Sequence, residues 1–181
     1  MSQEPIDVAE LSSLQRIILT SNGTVTKLLE DLVGEQLTVI KLHESLQIHE
    51  QAIEYLELPD SQKVIQRKIC LQGKDSGINW LYAESIIIPE RLEPSFRDDL
   101  LESQIPIGNL WSKYKIETFK EILPPFKQTA GELGQYFSIP AQQYLLGRTY
   151  RVYSRQQPVM MLTEKFPAHY FIDLTHHVHF S

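Results

Sequence analysis

The sequence predicts an α+β fold, a single domain built on a central antiparallel β-sheet. Three observations predict it. Helix-period segments come first and strand-period segments follow, with one or two short helices inserted, the order of an α+β chain rather than an alternating one. Two of the strand segments, Gln62–Gln72 and Ile78–Ile88, are joined by a short turn with two glycines, which connects antiparallel neighbours. A length of 181 residues, 42% hydrophobic and 22% charged, suits one soluble domain with a real core. No internal repeat or low-complexity segment divides residues 1–181, and stretches 1–8 and 169–181 read as peripheral tails.

The elements follow in order. Residues 1–8 are polar and are expected to fray. Leu11, Leu14, Ile17 and Ile18 form the apolar stripe of a first helix. Thr20-Ser21-Asn22-Gly23-Thr24 breaks it and supplies caps for a second. Val25, Leu28, Leu29, Leu32 and Val33 line that second helix, with Gly34 as its C′ residue. Leu37–Leu42 reads as a strand, which Leu46–Ile48 continues after a kink. Gln62–Gln72 is an alternating strand. Gly73-Lys74-Asp75-Ser76-Gly77 turns it into Ile78–Ile88. Pro89–Leu101 holds a short helix. Ile105–Trp111 reads as a compact apolar turn. Lys115–Ile122 fits helix or strand, and Lys127–Ser138 a loop or short helix. Tyr144–Tyr153 is a strand. Ser154–Ala168 is the end of that strand, a turn and a last strand.

Two charges break these patterns. On the last strand, period two places Met160, Leu162, Glu164 and Phe166 on one face. A carboxylate in that row needs a cation, a donor, a proton or a ligand, unless the strand lies at an edge and Glu164 faces water. On Gln62–Gln72 one face reads Lys63, Ile65, Arg67, Ile69, Leu71. The other reads Val64, Gln66, Lys68, Cys70, Gln72 and is expected to see solvent. Lys63 can snorkel from the strand end, whereas Arg67 sits mid-row. Arg67 and Glu164 are therefore either an internal ion pair or the cation and carboxylate of a pocket floor.

Composition excludes several classes. A net charge of −6 without a basic run argues against nucleic acid as a partner. The single Cys70 excludes an internal disulfide or a cysteine-rich zinc site. Of the histidines near the end, His177 and His179 share a strand face and His176 takes the other; two imidazoles fall short of a catalytic zinc set, so no metal is expected. There is no phosphate-binding glycine loop, dinucleotide fingerprint or nucleophile elbow. With no signal peptide or long apolar span, the expected location is cytoplasmic.

Four segments, in this order, resemble the chorismate lyase (chorismate pyruvate-lyase) family. They are Gly23-Thr24-Val25-Thr26-Lys27-Leu28-Leu29-Glu30; Arg67-Lys68-Ile69-Cys70-Leu71 with the glycine turn and Trp80–Pro89; Pro106-Ile107-Gly108; and Leu146-Gly147-Arg148 with Leu162-Thr163-Glu164-Lys165-Phe166. They cover about residues 20–168. The resemblance implies a six-stranded antiparallel sheet with an internal site closed by helical flaps. It implies conversion of chorismate to 4-hydroxybenzoate and pyruvate without a cofactor, a first step toward prenylquinones. Arg67 matches the family's substrate-carboxylate arginine and Glu164 its essential glutamate. Thr24 and Val25 match the flap beside the ligand, where other members carry methionine. Ile107 and Gly108 match the loop against the ring, with Ile replacing Leu.

The residue types suit that chemistry. Chorismate carries two carboxylates, and a buried guanidinium binds one bidentately while staying charged. Aromatisation supplies driving force, so the protein mainly positions substrate, excludes water and provides one proton-transfer group. Arg148 and Arg151 lie on opposite faces of their strand, and either is a candidate for the second carboxylate. A different class shares the pattern. The effector-binding domains of GntR/HutC-type regulators resemble the same fold and bind small molecules without turning them over. Those proteins carry a winged-helix domain ahead of it, for which the residues before Gly23 are too few. The oligomeric state is left open.

Overall fold

The computed structural model describes residues 3–172. In chain order the elements are β1 (Glu4–Pro5), α1 (Ser13–Thr20), α2 (Val25–Val33), β2 (Leu37–His49), β3 (Gln62–Gly73), β4 (Asn79–Ile87), α3 (Pro94–Glu102), α4 (Ile107–Tyr114), β5 (Phe119–Ile122), β6 (Phe126–Thr129), α5 (Gly134–Phe137), β7 (Tyr144–Ser154) and β8 (Gln157–Pro167). The strands form one antiparallel sheet in the order β1-β6-β7-β8-β4-β3-β2, with β5 also paired to β7. β7 is long enough to take two partners on its outer edge: β6 pairs with Tyr144–Gly147 and β5 with Tyr150–Tyr153.

The α+β class and antiparallel sheet are as the sequence predicts, but among the described residues the sheet has eight strands rather than six. The strands not predicted outright are short. Glu4 and Pro5, expected to fray, pair with Lys127 and Phe126. The ambiguous Lys115–Ile122 stretch resolves into β5 after Lys115 turns left-handed at φ 51°. Phe126–Thr129, expected as loop or helix, is a strand.

Local chemistry explains the helices. Ser12 accepts from the Gln15 backbone N–H while the Gln15 side chain accepts from the Ser12 N–H, a reciprocal cap for α1. Gly34 ends α2 at φ 74°, a conformation glycine adopts without a Cβ clash. Residues 105–111, expected as a turn, instead open α4 from Pro106, a residue that suits a helix start.

Helices α1–α4 cover one face of the sheet. Ile18, Leu19, Val25 and Leu29 pack on Leu71, Leu81 and Phe166. Phe96, Leu100, Leu110 and Trp111 pack on Ile65, Ile87, Val152 and Met160. The other face is not simply solvated. Cys70 is fully buried there with Tyr82, Leu145 and Phe137, and burial pushes its thiol up to about 12. Val64 is buried with Leu56, Leu58 and Ile88. The expectation that this face of β3 sees water fails because α5 and the 54–58 segment cover its two ends. The tail is also less peripheral than expected: Tyr170 meets Trp80 edge-on at 5.5 Å, and Gln15 donates to the Ala168 and Tyr170 carbonyls. His176, His177 and His179 lie outside the described residues.

Candidate functional site

The site is built on the β7–β8 hairpin. Its two-residue turn holds Arg155 and Gln156 at φ 50° and 64°, the doubly left-handed form that matches strand twist. Ser154 pairs with Gln157 beside the turn, but one residue later β8 carries an extra residue, Val159, between the Tyr153–Pro158 and Val152–Met160 pairs. Beyond that bulge Tyr150 faces Leu162 and Arg148 faces Glu164. Without it Arg148 would face Thr163, and Glu164 would point to the opposite side of the sheet. The bulge thus puts Arg148 and Glu164 on one face, under the helices.

Glu164 is 7% exposed and both its oxygens are used. Oε2 accepts from Arg148 Nε at 2.9 Å, and Oε1 accepts from the Tyr150 hydroxyl at 2.7 Å. Burial drives the Tyr150 phenol well above its usual range, and the Glu164 carboxylate adds to this while Arg148 opposes it. Tyr150 therefore stays a donor. Arg148, 1% exposed, sends Nη1 to the Ser21 carbonyl at 2.8 Å. Its Nη2 is buried without a hydrogen-bond partner among the described residues.

Glu164 opens into a cavity of about 20 Å³, roughly the space of one water. The cavity roof is Thr24, Val25 and Thr26, from the N-terminal turn of α2. Ile107, Gly108 and Trp111 of α4 form one wall. Tyr150, Val152, Leu162 and Lys120 come from the sheet. Four of the sequence-predicted residues, Thr24, Val25, Ile107 and Gly108, are thus brought together with Glu164, and Arg148 stands directly behind it.

Arg67 is placed differently. It lies on the same face of the sheet, 4% exposed, but does not touch this cavity or pair with Glu164. The cross-strand rows show why. Arg67 faces Ser85, which faces Leu162; in the next row Ile69 faces Ala83, which faces Glu164. Two strand spacings and one row, about 12 Å between backbone positions, separate the two residues. The residues between them on β4 are the small Ala83 and Ser85. The predicted alternative of an Arg67–Glu164 ion pair is corrected accordingly: Arg67 Nε has Glu44 Oε2 at 3.2 Å, without hydrogen-bond geometry, and its Nη2 has no partner among the described residues. Burial pushes this guanidinium down, with Glu44 opposing. A buried cation with unused donors is costly to keep unless a ligand uses them. Arg151, the other candidate for a second carboxylate, binds Glu121 and the Tyr55 carbonyl instead.

Sequence reasoning misses two residues. Tyr150 carries a signal, since it lies two residues from Arg148 on a strand and must share its face. Lys120 carries none, because its segment has no decisive period.

Gly108 lets the two helices meet. A Cβ there would collide with the Thr24 methyl and sit 3.0 Å from Thr26 Oγ1. Gly108→Ala is therefore expected to destabilise the protein by about 1–3 kcal/mol, the usual overpacking range. Urea denaturation checks it, and an unchanged midpoint would show that α2 and α4 separate freely.

A family model described as Rv2949c-like chorismate pyruvate-lyase matches residues 19–172. The chorismate pyruvate-lyase of Mycobacterium leprae is 30% identical over 174 residues, covering 92% of this chain and 80% of its own. That of Mycobacterium tuberculosis is 31% identical over 179 residues, covering 94% and 87%. Among solved structures, PhnF from Mycobacterium smegmatis superposes with a TM-score of 0.61 at 13% identity, over 82% of this chain and 65% of PhnF. The separate effector domain of PhnF gives 0.59 at 12% identity, over 91% of both chains. At such identities the likeness to PhnF concerns the fold alone.

Proposed function

The chain belongs to the Rv2949c-like chorismate pyruvate-lyase family and is an enzyme of the carbon–oxygen lyase class, and on that premise we propose that it converts chorismate to 4-hydroxybenzoate and pyruvate. In this reaction the ring loses the hydrogen from its hydroxyl-bearing carbon. The bond from the ring carbon to the ether oxygen breaks, that oxygen leaves with the enolpyruvyl group, and a proton ends on its methylene to give pyruvate. No external electron acceptor is needed, because the ring becomes aromatic as the ether leaves.

One observation carries the reading. On one buried face, Arg67 has unused donors and Glu164 is held at both oxygens, and the small residues Ala83 and Ser85 separate them. A para-substituted ring acid fits that polarity, with its carboxylate toward Arg67 and its hydroxyl end toward Glu164. Thr24, Val25, Ile107 and Gly108 close over the ring, and Arg148 fixes Glu164 in place. Enclosure strengthens each charged contact and keeps water from the reacting carbon. The residues ask for no metal or cofactor in this scheme. On this reading the protein acts in the cytoplasm and its product feeds prenylquinone synthesis, its para hydroxyl activating the ring for attachment of a prenyl chain.

Incubation with chorismate, followed by mass detection of 4-hydroxybenzoate, tests the reaction. Arg67→Ala is expected to weaken 4-hydroxybenzoate binding by about 2–5 kcal/mol in calorimetry, the range for truncating one partner of a buried charge pair. Arg67→Lys should not restore it, since an ammonium lacks the planar fork. Equal affinity in wild type and Arg67→Ala would leave Arg67 as a structural partner of Glu44. The PhnF-like fold gives the second reading, a binding module without turnover. Tight binding of an aromatic acid with no conversion of chorismate by the wild type would favour it.

A further inference from the structure

The proposed substrate has two carboxylates and the proposed product one, so the site needs a second anion-binding point beyond Arg67. The end of the cavity around Glu164 supplies the charge. Arg148 and Lys120 bring two positive charges against the single negative charge of Glu164, leaving one in excess. Lys120 projects from β5 into the cavity wall. It is partly buried, with its Nζ 5.5 Å from the centre of the Tyr150 ring. Burial lowers the pKa of its ammonium, Glu164 raises it, and Arg148 lowers it again.

The donors are held by weak substitutes. Lys120 Nζ donates to the Gly23 carbonyl at 2.9 Å, and Arg148 Nη1 to the Ser21 carbonyl at 2.8 Å. Both carbonyls belong to the stretch that leads into the cavity roof. A neutral carbonyl is a poorer partner for a cation than a carboxylate, because ionised pairs form the shorter and stronger bonds. Arg148 Nη2 beside them is buried with no hydrogen-bond partner among the described residues. Cation excess, an orphaned donor and exchangeable carbonyl partners meet at one place.

We propose that Lys120, with Arg148 Nη2, receives the enolpyruvyl carboxylate, so that Lys120 determines specificity for the two-carboxylate substrate over the one-carboxylate product. This rests on the lyase reading above. It also divides the site: Arg67 serves the carboxylate that substrate and product share, and Lys120 serves the one that departs as pyruvate.

Lys120→Met tests it, because methionine keeps an apolar stem of similar length and removes the charge together with the donor to the Gly23 carbonyl. The KM for chorismate is expected to rise about 10–100-fold, the scale of one lost charged hydrogen bond. The Kd for 4-hydroxybenzoate should change less than about threefold, since that ligand has no second carboxylate. Lys120→Arg should recover most of the chorismate KM. In a Glu164→Gln background, calorimetry with chorismate and with 4-hydroxybenzoate reads the same discrimination as pure binding. Equal losses for both ligands would show that Lys120 merely fastens the roof through Gly23, and an unmoved chorismate KM would remove it from recognition; either overturns the proposal. Failure of the lyase reading looks different, as wild type would then leave chorismate unconverted.

Discussion

Glu164→Gln is expected to lose about 10²–10⁴-fold in turnover, the usual contribution of a general acid–base group, while keeping the fold and much of the ligand affinity. The geometry allows the amide to settle. Its oxygen can accept from Arg148 Nε, and its NH2 can donate to the Tyr150 hydroxyl, which reverses its role from donor to acceptor. What the amide cannot do is exchange a proton near neutral pH. Single-turnover conversion of chorismate at saturating enzyme separates this from a binding defect. A rate equal to wild type would remove Glu164 from proton transfer. A loss of affinity in proportion to rate would make it an anchor instead.

Arg148→Met is expected to destabilise the protein by about 3–5 kcal/mol, the cost of leaving one member of a buried ion pair behind. Three bonds' worth of design converge on this side chain. Its Nε neutralises Glu164, its Nη1 ties the Ser21 carbonyl, and its Cζ lies 4.9 Å from the Tyr150 ring centre. With arginine gone, Glu164 keeps the Tyr150 hydroxyl alone. Urea denaturation of the single variant and of Arg148→Met with Glu164→Gln forms the check. The double variant should recover part of the loss, since the stranded carboxylate is removed with its partner. A single-variant loss below about 1 kcal/mol, the value of an exposed pair, would mean that water reaches Glu164 freely.

The parts of the fold with a strong local signal are the parts the sequence reveals. α2 has a complete apolar stripe and a glycine stop, and the β3–β4 turn has glycines at both ends. Short elements that depend on neighbours are not legible. β5 and β6 exist because β7 offers them an edge, and α4 starts at Ile107 between Pro106 and Gly108, a pattern that reads equally well as a turn. At the site, alternation identifies Glu164 and Arg67 as charges in apolar rows, and it gives the face each occupies. It cannot give their partners. Those depend on strand order, which sets β4 between β3 and β8, and on the Val159 bulge, which no local pattern announces. Counting back from the Arg155-Gln156 turn with regular pairing places Arg148 opposite Thr163. One extra residue turns that into Arg148 opposite Glu164.

The size of the cavity bears on time as well as on shape. At about 20 Å³ it is too small to receive a benzene ring while the Thr24–Thr26 roof rests on Gly108. If the proposed substrate binds here, it enters only while the roof is lifted, and lid motions of this kind run on microseconds to milliseconds. Capture is then gated: raising ligand concentration speeds binding only until the lifting rate is reached. The fraction of molecules with the roof lifted divides directly into the apparent affinity. On that reading departure passes the same gate, and the aromatic product would leave at the pace of the protein rather than of diffusion.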